Sequence, residues 1–203
     1  MNKLFLYEDF FTRDEKEILS FSKLSASLFT YSTGVKAVRL KNDRGAIVML
    51  PYMGQMIWRA EFDGYDMTMK TVFDEPVPGV PTFEGTYGCF LMHCGLTAMG
   101  NPTAEDTHLP HGELPVCKYQ SVYLVSGEDE KGKFIGLSGV YTNKSCYALN
   151  YEFSPFCKDL RREDGHRRDG VLCQSQGCSP RILLSLPYQS SPRGRSALRI
   201  HGR

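Results

Sequence analysis

The run Gly34-Val-Lys-Ala-Val-Arg-Leu-Lys-Asn42, with Ile47-Val-Met-Leu-Pro-Tyr-Met-Gly54 and Met56-Ile-Trp-Arg-Ala-Glu-Phe62 behind it, decides the fold. Val35 and Ala37 alternate with Lys36, and Arg39 follows; Ile47–Leu50 is a short apolar run. Period-two alternation is the mark of a strand with one buried face. The run 56–62 ends at Asp63-Gly64, a hairpin turn signal, and Asn42-Asp-Arg-Gly45 is a second turn. Further strands are predicted over Tyr87–Met92, Gln120–Val125, Lys133–Val140 and Cys146–Phe153. Turns are predicted at Gly127–Gly132 and Thr142–Lys144, and Pro76-Val-Pro-Gly-Val-Pro81 reads as a stiff loop. Many short strands joined by turns predict an all-β, antiparallel sandwich or barrel. Near the N-terminus, Thr12-Arg-Asp-Glu15 has the form of a capping box, and Ile18, Leu19 and Phe21 follow, predicting a short helix over 12–24.

Composition bounds the class. The 203 residues are 41% hydrophobic and 12% aromatic, with a net charge of +1, as expected of a soluble globular chain. No apolar run reaches bilayer length, and Met1–Asp9 lacks the form of a signal peptide. Seven Cys without dense disulfide spacing suit free thiols in a reducing cytoplasm, so a cytoplasmic protein with no membrane partner is expected.

The stretch Gly85-Thr-Tyr-Gly-Cys-Phe-Leu-Met-His-Cys-Gly-Leu96 ends an aromatic and aliphatic run in Cys94-Gly95-Leu96. A polar loop, 100–106, leads to Leu109-Pro-His-Gly-Glu113. A run that delivers its end to a loop bearing a His is a common way to line a small-molecule site. Together with residues 34–64, these motifs resemble the aldose 1-epimerase (galactose mutarotase-like) superfamily. The resemblance is greatest to a bacterial branch with a Cys-Gly-Leu strand end and a His-Gly loop, and it covers about residues 30–155. It implies a mutarotase-like supersandwich, here incomplete, over 31–156, with 1–30 as an N-terminal helical extension.

That resemblance also implies an activity. A mutarotase interconverts the anomers of a free sugar with one general acid and one general base and no cofactor. His111 matches the family's sugar-contacting loop His; the other reading is a loop His bonded to local backbone. Arg39 matches a strand position that reaches a sugar hydroxyl or acid group; it also reads as a surface strand Arg. His93, before Cys94, either faces the pocket or is packed. Gly54 and Gly95 read as backbone requirements, and Trp58 reads as core. The implied partner is a small-molecule sugar, not a nucleic acid.

The family's catalytic His and Glu come from later strands, and here the sequence changes character. Residues 157–203 hold nine Arg, one Lys and four acids, a net of +6, with Tyr188 their one aromatic. No alternating pattern runs through Asp159–Ser179, so 157–180 is expected to have little regular structure. A basic nucleic-acid-binding arm and a solvated tail are the ordinary readings. A third is a reading-frame shift. Moved by one base, codons permitted for Pro187–Gly202 allow His-Ile-Asn-His-Arg-Pro-Val-Asp-Gly-Ala-Arg-Phe-Val-Tyr-Thr-Ala, which resembles the family's later sugar-site strand. On this reading the chain is truncated and inactive, and neither His166 nor His201 takes a catalytic role. Two alternatives stand beside it: a non-catalytic carbohydrate-binding β-sandwich, and a cupin-like metal enzyme using His108, His111 and Glu113.

Overall fold

The computed structural model describes residues 1–130, 132–145, 148–161, 170–177 and 183–185, with side chains for 1–130, 132–144 and 151–158. Its strands are β1 (Asn2–Leu6), β2 (Lys16–Phe21), β3 (Leu24–Thr30), β4 (Lys36–Lys41), β5 (Gly45–Met49) and β6 (Ile57–Phe62). They continue as β7 (Tyr65–Asp66), β8 (Ser121–Asp129), β9 (Gly132–Ser145), β10 (Ala148–Arg161), β11 (Gly170–Gly177) and β12 (Leu183–Ser185). Two six-stranded sheets result, ordered β1-β8-β9-β10-β11-β12 and β2-β3-β4-β5-β6-β7. All strand pairs in them are antiparallel.

Both sheets feed one apolar cluster. Leu24, Ala26, Leu28, Val38, Leu40, Ile47 and Ala60 come from the second sheet; Leu124, Ile135, Leu137 and Phe153 come from the first. The alternate residues of the second sheet, among them Ala37, Val48 and Trp58, point the other way. There they pack under Phe83 and Cys89 of the long connection between β7 and β8. The second sheet is therefore covered on both faces, and it carries the connection that holds the motifs.

The turns follow their sequence. Asp63 and Gly64 adopt φ of 52° and 77°, the left-handed pair of a tight hairpin. Asn42 closes the β4–β5 turn by accepting the backbone N–H groups of Arg44 (2.8 Å) and Gly45 (2.9 Å) on its side-chain oxygen. Gly54 has φ of 59°, and a Cβ there would lie 2.1 Å from the Pro115 carbonyl oxygen, so the backbone approach requires glycine.

Several expectations are corrected. No helix forms over 12–24: β2 and β3 make a hairpin instead, turning at Ser22 (φ 63°). The Glu15 carboxylate that would complete a capping box binds Arg39 and Ser27 across the sheet. Ile18 and Phe21 then pack against the shared core, so strand pairing overrides the local signal. Tyr87–Met92 is not a strand. It is irregular except for one bridge, Leu91 to Ile57, because its side chains serve two clusters at once. Thr142–Lys144 is not a turn but lies inside β9, where Thr142 N–H reaches the Gln120 side chain at 2.7 Å.

Within the Arg-rich segment, β10 runs through Arg161 and pairs with β11, so 157–161 and 170–177 carry strand backbone where little regular structure is expected. The remaining calls there, including His166 and His201, lie outside the described residues. Cys157 is disulfide-bonded, unlike the free thiols Cys89, Cys94 and Cys117; its cross-strand Cα partner is Cys173. Among the described residues no helix is long and apolar enough to cross a membrane.

Candidate functional site

The two motif segments meet. Gly95 N–H donates to the His111 carbonyl at 2.9 Å, and Leu114 N–H donates back to the Gly95 carbonyl at 3.2 Å. Within the loop between them, His111 N–H binds the Gly100 carbonyl (2.8 Å) and Gly112 N–H the Leu109 carbonyl (2.9 Å). His111 itself sits at φ 58°, and Gly112 at 81°. A Cβ on Gly112 would meet the Ala98 carbonyl oxygen at 2.5 Å, so only glycine lets the two arms lie together. The loop is thus a closed, backbone-bonded unit.

Two side chains leave this unit in different directions. The half-buried His111 ring packs edge-on against Phe83, centroids 5.3 Å apart. Phe83 belongs to the cluster on the second sheet's outer face. Arg39 lies on that same face, over Phe29 at 5.5 Å. His111 and Arg39 therefore share one side of the sheet, although they do not touch. Arg39 gives two hydrogen bonds to Glu15, Nε to Oε1 at 2.8 Å and Nη2 to Oε2 at 3.3 Å. Burial raises the Glu15 pKa, but the bonds from Arg39 and Ser27 outweigh it and hold the carboxyl below its ordinary value.

Glu113 goes the other way, to the first sheet. Its carboxylate accepts Leu96 N–H (2.8 Å), Thr97 N–H (3.2 Å) and the Thr97 hydroxyl, and it takes a short bond from the Tyr151 hydroxyl on β10. Asn143 of β9 bridges the hydroxyls of Tyr151 (3.3 Å) and Tyr141 (3.4 Å). Burial works to raise the Glu113 pKa, but the Thr97, Tyr151 and backbone donors prevail and lower it. The same contact, after burial, pushes the Tyr151 phenol up. Glu113 is thus an ionised latch that ties the motif loop to β10. With its lone pairs filled and its pKa low, it is poorly suited to take a proton from a substrate.

His93 is not brought to His111 or Arg39. It is 9% exposed, its ring packs against Phe153 at 5.5 Å, and its Nε2 has no hydrogen-bond partner among the described residues. Burial lowers its pKa to about 4, so the ring is neutral at pH 7. It is a packed histidine, which corrects its reading as a sugar ligand on a pocket wall. Trp58 is fully buried and Gly54 and Gly95 serve backbone contacts, as the sequence suggests. The cupin-like set is dispersed: His108 Nδ1 lies 2.8 Å from the Leu109 carbonyl, His111 packs on Phe83, and Glu113 faces Tyr151. Among the described residues no group of three or more His, Cys, Asp or Glu is placed to hold a metal ion.

Sequence reasoning missed two residues. Arg59 stacks on Trp58 at 4.7 Å and donates to the carbonyls of Gly88, Phe73 and Asp74 at 3.2–3.3 Å, clamping the long connection to β6. An Arg in the middle of an apolar strand was the available signal. Tyr151 as the partner of Glu113 had none, since 38 residues separate them. Comparison with protein-family models, curated proteins and solved structures finds no match to this chain.

Proposed function

We propose that the chain is an aldose-binding β-sandwich of the aldose 1-epimerase-like type, one that holds a free sugar without an acid–base pair among its described residues. The observation that carries this reading is the hydrogen-bonded meeting of Cys94-Gly95-Leu96 with His111-Gly112. Those segments carry the resemblance, and their closure aims the His111 ring at the sheet face that bears Arg39. His111 and Arg39 are the hydroxyl-binding groups on this reading. Ring opening also needs a base at the anomeric hydroxyl and an acid at the ring oxygen, each worth about 10²–10⁴-fold. His93 is enclosed, and Glu113 is occupied by its four donors. Binding without those groups lowers no barrier, because ground-state affinity is not catalysis.

Polarimetry on glucose and galactose, paired with a sugar titration by NMR, tests the reading. Weak binding lost in His111→Ala, with anomer exchange at the buffer rate, supports it. Absence of binding to any aldose sinks the whole reading. Exchange above buffer that His111→Ala abolishes sinks the claim that the acid–base pair is absent.

A further inference from the structure

A concavity of about 440 Å³ opens on the side of the molecule where β1 ends. It is lined by Phe5, Tyr7, Glu8, Tyr52, Lys118 and Tyr119, with Gln120 and Ser121 beside them. Its volume falls within the range of small-molecule sites, about 300–1,000 Å³. The lining grades from rim to depth. Phe5 and Tyr7 are 48% and 59% exposed at the rim, Tyr52 is half-buried, and Tyr119 is 1% exposed at the inner end. The Tyr119 hydroxyl is enclosed, with the Cys117 thiol, Tyr141 and Tyr151 around it, so it takes no part in the chemistry of the concavity.

The chemistry of the lining narrows the occupant. The exposed rings of Phe5 and Tyr7, with the half-buried Tyr52, offer apolar faces in one concavity. Such a set also suits a quaternary ammonium ion held by cation–π attraction. Here, however, the Lys118 ammonium stands in the same concavity, 3.1 Å from the Glu8 carboxylate. It repels a second cation, while Glu8 repels an anion. The two charges cancel, so a neutral ligand is favoured. Glu8 as acceptor, with Lys118 and the Gln120 amide nitrogen as donors, suits neighbouring hydroxyl groups on one ring edge, the Gln120 oxygen being held by Thr142 N–H.

We propose that this concavity is a separate binding site for a neutral hydroxylated six-membered ring, a pyranoside stacked on Tyr7 with its hydroxyls on Glu8 and Lys118. It is distinct from the His111 loop and needs no free anomeric carbon. A locked glycoside therefore separates it from the reading above, which concerns free aldoses.

The test is a titration of the uniformly ¹⁵N-labelled full chain, followed by amide shifts. The probes are methyl β-D-glucopyranoside, cellobiose, choline and cyclohexanol. The glycoside is expected to shift amides of Phe5–Glu8 and Lys118–Val122, with a dissociation constant on the order of 1 mM. Tyr7→Ala is expected to weaken it about tenfold, and Lys118→Ala severalfold. Both side chains are exposed, so their removal leaves the core intact. His111→Ala is expected to leave these shifts unchanged. A single ring that suffices gives equal affinity for cellobiose; a chain end gives tighter binding, and either result supports the site. No shift in these segments at 50-fold the expected constant overturns the proposal. So does choline or cyclohexanol binding as tightly as the glycoside, since neither carries the hydroxyl pattern on which the argument rests.

Discussion

Replacing Glu113 by Ala removes one carboxylate and orphans four donors: the N–H groups of Leu96 and Thr97 and the hydroxyls of Thr97 and Tyr151. Their losses are unequal. Leu96 and Thr97 are exposed, so water takes over most of what they lose. Tyr151 is half-buried beside Tyr141, and its bond to a charged acceptor contributes about 1.5–3 kcal/mol. The expected destabilisation is therefore about 2–3 kcal/mol, or roughly 4–12 °C in Tm for a chain of this length. Glu113→Gln keeps one acceptor oxygen and loses charge assistance, so its cost is about 1 kcal/mol. The pH dependence separates charge from packing. The folded pKa of Glu113 lies below its unfolded value, so its contribution is present above the unfolded value and is lost as pH falls through the folded one. The wild type should lose stability on acidification below about pH 4.5 more steeply than Glu113→Gln does. Thermal unfolding between pH 3 and 7 reads both effects. A Glu113→Ala chain within about 0.5 kcal/mol of wild type, or identical acid limbs for wild type and the Gln variant, would refute the latch.

Three further outcomes are expected. Gly54→Ala forces a Cβ into the Pro115 carbonyl at φ 59° and should cost more than about 3 kcal/mol by denaturant unfolding, whereas Gly64→Ala, with open space around it, should cost about 1 kcal/mol or less; equal costs would contradict the close-approach argument. His93 is neutral and buried with a pKa near 4, below its unfolded value, so stability should fall as pH drops from about 6.5 towards 4, and His93→Phe should flatten that slope in urea titrations. Arg39→Ala removes an exposed ion pair with Glu15 and should shift stability by less than about 1 kcal/mol while weakening any aldose binding seen by NMR; unchanged binding would remove Arg39 from the site.

Legibility followed the range of the interaction. Strands β5 and β6 were readable because the apolar run at 47–50, the run 56–62 and the turn signal that ends it lie within about twenty residues and agree. The β2–β3 hairpin was not, although Ile18 and Phe21 favour strands. Its decisive contacts are Glu15 to Arg39 and Ser27, and a capping-box pattern looks the same whether Glu15 folds back or reaches across. Tyr87–Met92 reads as a strand from composition. The structure instead splits its side chains between two clusters, with Leu91 towards the shared core and Cys89 and Met92 towards the outer face, and this splitting replaces ladder pairing. In the site, the His111 loop was legible as a motif. The destinations of its neighbours were not, because they depend on β9 and β10 arriving from 30 to 40 residues away.

The loop between Gly95 and Glu113 gains its character from having two anchors of different chemistry. At its base, Gly95 and Leu114 join it by backbone bonds that no side-chain substitution removes directly. One residue beyond Gly112, the Glu113 carboxylate ties it to Tyr151, and that tie depends on charge. The backbone bonds fix where His111 starts, and the carboxylate fixes which way the loop leans between the sheets. A loop held only by the first would keep its fold while losing its aim at Phe83 and the outer face. Protonation or amidation of Glu113 should therefore loosen the contact between His111 and Phe83 before the sheets unfold. ¹H cross-relaxation between the His111 and Phe83 rings is the measurement that sees it. In Glu113→Gln that signal should weaken at neutral pH while amide protection in β4, β5 and β6 falls by no more than the roughly fivefold that a loss of about 1 kcal/mol allows; collapse of both together would show that the loop and the sheets unfold as one unit.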